Sequence, residues 1–384
     1  MINKILNKKK FLFLFLILCF SLPRTVQIYK YLLLFILVIY LISYLFKDFK
    51  LNKSYFTYVF ILTGLFIIPL LIGVFYNNEG EFIFSSLKAN VLFPVLIFTI
   101  LQCFKKVEIL EIIKKSSRIS ILVISILLLS TVLYTFNIFP INFNEFFYPA
   151  ETNARITGGY FHFINSSLSY LIFIIPIVFV PLKKNKTQFL LFFLLLLMVI
   201  FTGRRILILP FLIIFIFDFK RFIVPLLFLL TFLTFVKTDK IIDKEIVVER
   251  FSDAINSTGD SSVREEQSKY FEKNIIEKPF FGYGLGSYMK EYIRNNEFKT
   301  AYERSFHYQL FSLGVPTTLM LWGFYLFMII RVYTKNKSYV GFLLGITSLL
   351  LSSYTNPYWL SSFDYCIPLA LLMRFAQNEK NIES

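Results

Sequence analysis

Glu277-Lys278-Pro279-Phe280-Phe281-Gly282-Tyr283-Gly284-Leu285-Gly286, preceded by Ser262-Val263-Arg264-Glu265-Glu266, forms the centre of a polar excursion from Lys237 to Arg304. It is the one long hydrophilic segment in a chain that is otherwise almost continuous hydrocarbon. Chemistry performed by this chain therefore involves the segment or meets it, and the remainder reads as the frame that holds it at a membrane surface. Of the 384 residues, 57% are hydrophobic and 17% charged, against roughly 25% charged in a soluble domain. The class that fits is an integral membrane protein.

A helix must offer about 17 to 25 apolar residues to cross the hydrocarbon layer, because only a helix satisfies its own backbone there. Apolar runs at 8–23, 29–46, 54–76, 87–104, 117–139, 163–182, 188–202, 206–219, 222–236, 306–331, 339–355 and 363–376 give about twelve spans. The expected fold is an all-α polytopic membrane protein with one long extracytoplasmic helical loop. Residues 1–236 hold about nine spans with a smaller outer loop near 140–162, residues 237–305 form the large loop, and residues 306–384 hold about three more spans. Gly is modest in number (14) beside 49 Phe, which argues against helix contacts built on small residues.

The net charge of +16 would suggest nucleic acid in a soluble protein. Here Lys and Arg sit mainly in short loops between spans, so they read as orientation signals and no nucleic-acid partner is expected. With the N-terminus inside, the chain returns to the cytoplasm at Lys47/Lys50/Lys53, Lys105/Lys106/Lys114/Lys115/Arg118, Lys183/Lys184/Lys186, Lys220/Arg221, Arg331/Lys335/Lys337 and Arg374/Lys380. Every one of those loops is basic, which places both termini in the cytoplasm. Lys8 to Lys10 before Phe11–Phe20 resembles a signal peptide, but no small-residue cleavage site follows, and the segment is read as a span or half-span. Cys19, Cys103 and Cys366 all lie in apolar runs without metal-ligand spacing, so neither a disulfide framework nor a zinc site is expected.

Within the long loop, Asp260-Ser261-Ser262 followed by Glu265 has capping-box spacing and predicts a helix through about Glu277. Its apolar positions Val263, Tyr270, Phe271 and Ile275 are loosely periodic, which predicts that it lies against the surface of the membrane domain. Pro279 ends it, and Gly282, Gly284 and Gly286 allow a close turn before a second short helix from about Ser287 to Asn296. The glycines follow a helix rather than a strand and fall outside the cytoplasm, so a nucleotide loop is rejected.

Arg155, Arg204, Arg205 and Arg264 all fall on the outer side, against the topogenic rule. They either pair with lipid phosphate and loop carboxylates, or clamp an anionic headgroup such as a lipid-linked diphosphate, for which a planar guanidinium suits better than an ammonium. His162 and His307, the two histidines, both stand at the outer end of a span after a polar loop. Either could exchange a proton with a hydroxyl or contact a phosphate, or simply bond locally at a helix end. Ionisable residues are almost absent inside the spans, which disfavours a transporter of lipid-linked sugars. A purely structural membrane partner would leave the outer arginines without a role.

Arg264, the following helix, Pro279-Phe280-Phe281-Gly282-Tyr283-Gly284-Leu285-Gly286, and His307 before Leu310-Phe311-Ser312-Leu313-Gly314 resemble the superfamily of O-antigen polymerases and O-antigen ligases. Asn153-Ala154-Arg155-Ile156-Thr157-Gly158-Gly159-Tyr160-Phe161-His162-Phe163-Ile164-Asn165 is similar to that family's Arg-x-x-Gly…Asn segment, and Thr202-Gly203-Arg204-Arg205 to its small-residue-plus-arginine turn. Tyr308 departs from the asparagine that often follows the family's histidine.

The resemblance implies an inner-membrane glycosyltransferase with its site on the periplasmic face, acting on undecaprenyl-diphosphate-linked glycans as donor and acceptor. A polymerase of surface polysaccharide is expected ahead of a ligase to lipid A-core. The implied roles are catalysis for His307 and Arg264, and binding of the diphosphate or the rest of the substrate for Arg155, Arg204, Arg205, Gly282, Gly284 and His162. No metal or other cofactor is expected, since arginines can neutralise the diphosphate and no Asp-x-Asp cluster occurs in an outer loop. Membrane lipid and a chain-length regulator protein are the further candidate partners.

Overall fold

The computed structural model describes residues 8–48, 53–135, 137–148, 153–157, 160–164, 166–180, 191–192, 195–196, 205–217, 261–293, 299–300, 302, 304–353 and 366–378. The span read at 222–236, most of that at 188–202, Arg204 and loop residues 237–260 lie outside the described residues.

Helices follow the apolar runs: α1 (Lys8–Ser21), α2 (Gln27–Asp48), α3 (Lys53–Phe75), α4 (Gly80–Leu87), α5 (Phe93–Leu101) and α6 (Lys106–Thr135) come first. A π turn at Lys88–Leu92 joins α4 to α5. The short α7 (Phe143–Phe147) precedes strands β1 (Asn153–Thr157) and β2 (Tyr160–Ile164). There follow α8 (Leu171–Phe179), α9 (Leu209–Phe217), α10 (Ser261–Glu277), α11 (Ser305–Leu313), α12 (Val315–Lys335), α13 (Val340–Ser352) and α14 (Ile367–Ala376). Among the described residues, five helical stretches are long and apolar enough to cross a membrane: Gln27–Phe46, Lys53–Phe75, Gly80–Leu101, Lys106–Thr135 and Val315–Lys335. Leu168–Phe179, Lys337–Ser352 and Ile367–Ala376 are apolar but shorter. The chain is a helical, multi-pass type of membrane protein, and the figure of twelve spans rests on sequence alone.

Four details differ from the sequence reading. Residues 140–162, read as irregular outer loop, contain an antiparallel hairpin with Arg155 opposite His162 and Thr157 opposite Tyr160. Its two-residue Gly158-Gly159 connection between aromatic and β-branched runs is a hairpin signal. The span read at 306–331 is divided at Gly314, so that α11 is separate and α12 alone has membrane length. The second loop helix expected from about Ser287 to Asn296 is absent through Ile293, where the chain is irregular with a turn at Lys290–Glu291, and residues 294–296 lie outside the described residues. Finally, α6 starts at Lys106 and carries Lys114, Lys115 and Arg118 as helical residues, because a polar first stretch can stay helical outside the hydrocarbon.

The chain divides into two compact units. The first comprises Met1–Leu34, Leu110–Gly259 and Val340–Leu349. In it Lys30, fully buried, donates from Nζ to the Leu22 carbonyl at 2.6 Å, and Tyr148 donates to the Pro23 carbonyl at 3.0 Å. Gly341-x-x-x-Gly345 on α13 lies against the backbone of α8: a Cβ on Gly341 would stand 2.8 Å from the Pro176 carbonyl oxygen. This corrects the expectation drawn from glycine content, since two correctly spaced glycines suffice for a close helix crossing.

The second unit comprises Phe35–Ile109, Asp260–Tyr339 and Leu350–Ser384. Its core joins α3, α5, α12 and α14. Tyr55 stacks on Phe98 at 5.0 Å and shares a hydrogen bond of 2.7 Å with Thr99, while Tyr58 donates to the Ala376 carbonyl at 3.1 Å. At that same end, Lys335 donates to the carbonyls of Ala376 and Gln377, both at 2.7 Å. Lys106 reaches the carbonyls of Phe375 and Gln377. These cations cover the open carbonyls where α14 stops, the favourable place for positive charge on a helix. Buried Arg374 donates to the Leu101 carbonyl at 3.2 Å, the Phe104 carbonyl at 2.8 Å and Gln377 Oε1 at 3.1 Å.

Replacing Arg374 by Ala removes three hydrogen bonds in a buried setting, and is expected to cost about 2–4 kcal/mol. A clear fall in the thermal midpoint of the detergent-purified protein is the outcome to look for.

Candidate functional site

The site builds from the end of α3 opposite its Lys53. Tyr76-Asn77-Asn78 follow the helix, and Asn77 adopts φ +54°, a conformation asparagine tolerates. Its amide bonds to the Val74 carbonyl at 3.0 Å and that of Asn78 to the Gly73 carbonyl at 3.0 Å, the pattern of a Schellman cap. The cap aims the Asn78 side chain: Nδ2 donates to the carbonyls of both Tyr283 and Leu285 at 2.9 Å. One carboxamide thus grips the turn that the sequence singled out. Sequence reasoning missed Asn78, although an Asn-Asn pair after an apolar helix is a readable cap signal.

The turn is fixed from both sides by backbone bonds. The amides of Tyr283 and Gly284 donate to the carbonyls of Phe311 and Ser312 at the end of α11, each at 2.9 Å, and the Leu285 amide donates to the Pro69 carbonyl of α3 at 2.9 Å. The Val315 amide, at the start of α12, donates to the Pro279 carbonyl at 2.7 Å. Gly282 and Gly284 stand at φ +62° and +82°. At Gly284 a Cβ would lie 2.5 Å from the Gly73 Cα, and a Cβ on Gly73 would lie 2.5 Å from the Leu285 carbonyl oxygen. The two glycines are mutually required, because backbone cannot yield to a side chain here.

Around this turn an aromatic core forms. Phe271 of α10, Met289, Tyr302 and Phe311 are buried together, with Tyr270, Ile275, Tyr283, Tyr288, Tyr292 and Tyr308 against them. Through this cluster the loop helix packs against α11, the first part of the run read as a span at 306–331. Tyr283 stacks on Phe311 at 4.7 Å. The Lys278 ammonium sits between the rings of Tyr76 and Tyr283, 3.8 and 4.3 Å from their centroids. Burial, then a hydrogen bond with Glu277, pushes the Tyr283 phenol up to about 12. Glu79, at the start of α4, accepts from Lys299 at 2.7 Å and from Tyr288 at 3.0 Å, which holds its carboxyl below the usual carboxylate range.

His307 lies in the first turn of α11, half-buried, with its ring centroid 6.2 Å from that of Phe271. Burial first, and the positive charge of Arg304 second, lower its pKa below the ordinary 6.5, with Glu272 opposing. The imidazole is thus held neutral at neutral pH, with a lone pair able to accept a proton. Arg264 lies on α10 seven residues before Phe271. Two helical turns separate them, about 10 Å along the same face. Tyr308, the departure from the family pattern, donates its hydroxyl to the Ser287 carbonyl at 3.1 Å and so ties α11 to the segment after the turn.

Arg264, Gly282, Gly284 and His307 accordingly come from elements packed on one another. Arg155, His162 and Arg205 belong to the first unit. Arg155 and His162 are cross-strand partners, and Arg205 opens a 3-10 turn, Arg205–Ile208, that leads into α9. For these three and Arg264 the backbone alone is described, and Arg204 lies outside the described residues. Among the described residues no group of three or more His, Cys, Asp or Glu is placed to hold a metal ion. No protein-family profile matches the chain, and no curated protein matches it.

Gly284→Ala is expected to undock the turn, seen as faster tryptic cleavage after Lys290. Gly64→Ala, where a Cβ meets nothing within 4 Å, should stay within about 1 kcal/mol of wild type. For His307 the folded pKa is lowered, so between that value and 6.5 the unfolded chain binds more protons than the folded one. Its stability contribution is complete above pH 6.5 and is lost as pH falls. Acidification from about pH 7 to about 5.5 should lower the wild-type thermal midpoint by more than that of His307→Gln.

Proposed function

We propose that the chain is a polymerase of surface-polysaccharide repeat units, transferring an undecaprenyl-diphosphate-linked glycan onto a lipid-linked acceptor with inversion. The observation that carries this reading is the packing of three motif elements on one another: the helix bearing Arg264, the Pro279 to Gly286 turn, and α11 bearing a half-buried His307. The turn docks on the far end of α3 from Lys53, while the basic residues Lys106, Lys335 and Arg374 gather at the other end of this unit around α14. In this reading the basic end faces the cytoplasm, as the positive-inside rule favours, and the turn and His307 face the periplasm.

In this reading the acceptor hydroxyl attacks the anomeric carbon of the donor as the bond from that carbon to the diphosphate oxygen breaks. His307, neutral because of its burial and of Arg304, takes the hydroxyl proton. Undecaprenyl diphosphate leaves as an anion, and Arg264 stabilises the negative charge that develops on it; Arg155, Arg204 and Arg205 are the further guanidiniums that the sequence offers for that role. Gly282 and Gly284 let the backbone turn sharply beside α11, and His162 stands across the hairpin from Arg155. The polar loop supplies the room for a glycan, which membrane-buried helices do not.

The test is glycan display in a strain lacking this gene, complemented with wild type or with Arg264→Ala, Arg204→Ala or His307→Ala at matched protein level. Core bearing a single repeat unit in the deletion strain, a ladder restored by wild type, and a ladder weakened at least about a hundredfold in the His307 and Arg264 variants are the expected results. Bare core with long chains held on the carrier lipid would indicate a ligase instead. An unchanged ladder in all three variants would overturn the site.

A further inference from the structure

At the end of the second unit remote from the turn, a cleft of about 340 Å³ opens between the start of α3 and the last turns of α12. Lys53 and Arg331 line it, together with Thr57, Tyr58, Ile61 and Phe327, and among the described residues no carboxylate does. Among the described residues neither Lys53 nor Arg331 forms an ion pair; the Arg331 guanidinium lies 5.7 Å from the Phe327 ring centroid. Tyr58 is buried, whereas Ile61 and Phe327 remain 36% and 48% exposed. Cations thus stand with an apolar wall that is itself uncovered. Both belong to helices of membrane length, Lys53 as the first residue of α3 and Arg331 near the end of α12.

We propose that this cleft is a binding site for one anionic phospholipid, with its phosphodiester on Lys53 and Arg331 and the first part of an acyl chain along Ile61 and Phe327. The volume equals about ten water molecules, enough for a headgroup and too little for a protein segment of any length. Charge complementarity selects the occupant. Two cations without a carboxylate favour a phosphate anion, and the apolar wall favours a ligand that carries hydrocarbon with it. The lipid would brace α3 against α12 from the end opposite the glycine turn. The site is independent of the glycan chemistry, since none of its residues belongs to the proposed catalytic group.

Native mass spectrometry of the full chain released from detergent tests this, with phosphatidylglycerol and phosphatidylcholine of identical acyl chains as probes. One phosphatidylglycerol should bind about thirtyfold more tightly than phosphatidylcholine, since each cation near an anionic headgroup contributes roughly fivefold. The preference should vanish in the Lys53→Gln/Arg331→Gln double variant and persist in His307→Gln. Inorganic phosphate alone should leave the thermal midpoint where it was, while phosphatidylglycerol raises it. Equal retention of the two lipids by wild type, which needs no variant to interpret, would overturn the proposal. So would an undiminished preference in a folded double variant, or stabilisation by inorganic phosphate equal to that by phosphatidylglycerol.

Discussion

The polar loop joins the membrane helices of its unit through backbone amides and carbonyls that pair with those of α3, α11 and α12. Tyr283, Gly284, Leu285 and Val315 each donate across an element boundary, and the Asn78 carboxamide adds two more bonds from the cap of α3. A hydrogen bond to an otherwise open carbonyl at a membrane boundary is worth more than one on a wet surface, because the alternative is an unsatisfied group. These bonds form only if main chain approaches main chain, hence glycine at positions 73 and 284. The aromatic core, the position of α11 and the setting of His307 all depend on that approach.

A hydrophilic excursion in an apolar chain was readable at once, as were the helix at 261–277 with its polar start and its stop before Pro279. These follow from composition, capping and proline, which act within a few residues. The break at Gly314 was hidden inside an apolar run, because hydropathy averages over a window and does not register one residue at φ +79°. The hairpin was legible in Gly158-Gly159 but lost to the stronger expectation of helices. The aromatic cluster escaped because it joins positions spread from Tyr270 to Phe311, contacts that no local period encodes. Among candidate residues, His307 and the turn glycines were identifiable from residue type and order. Asn78 was not, since its importance comes from where a cap points it.

Glycine scarcity also proved a poor guide to packing. A chain with 14 glycines places Gly341 and Gly345 on one helix face against α8, and Gly73 beneath the turn. Position matters here more than number, because one missing side chain at a crossing sets the distance between two backbones. The many phenylalanines do the complementary work of filling space, as where Phe173 packs edge-on to Phe342 at 5.9 Å beside that same crossing.

The carbonyls of residues 375–377 receive Tyr58, Lys106 and Lys335. These donors are translated well before their acceptors: Tyr58 waits for more than 300 residues of synthesis. While the ribosome is still at work, two ammonium groups and a phenol at one membrane boundary have no protein acceptor from α14. Closure of this unit is accordingly an event of late biogenesis. A nascent chain halted before Ile367 would lack those carbonyls, which makes α14 the element on which closure of this end of the unit waits.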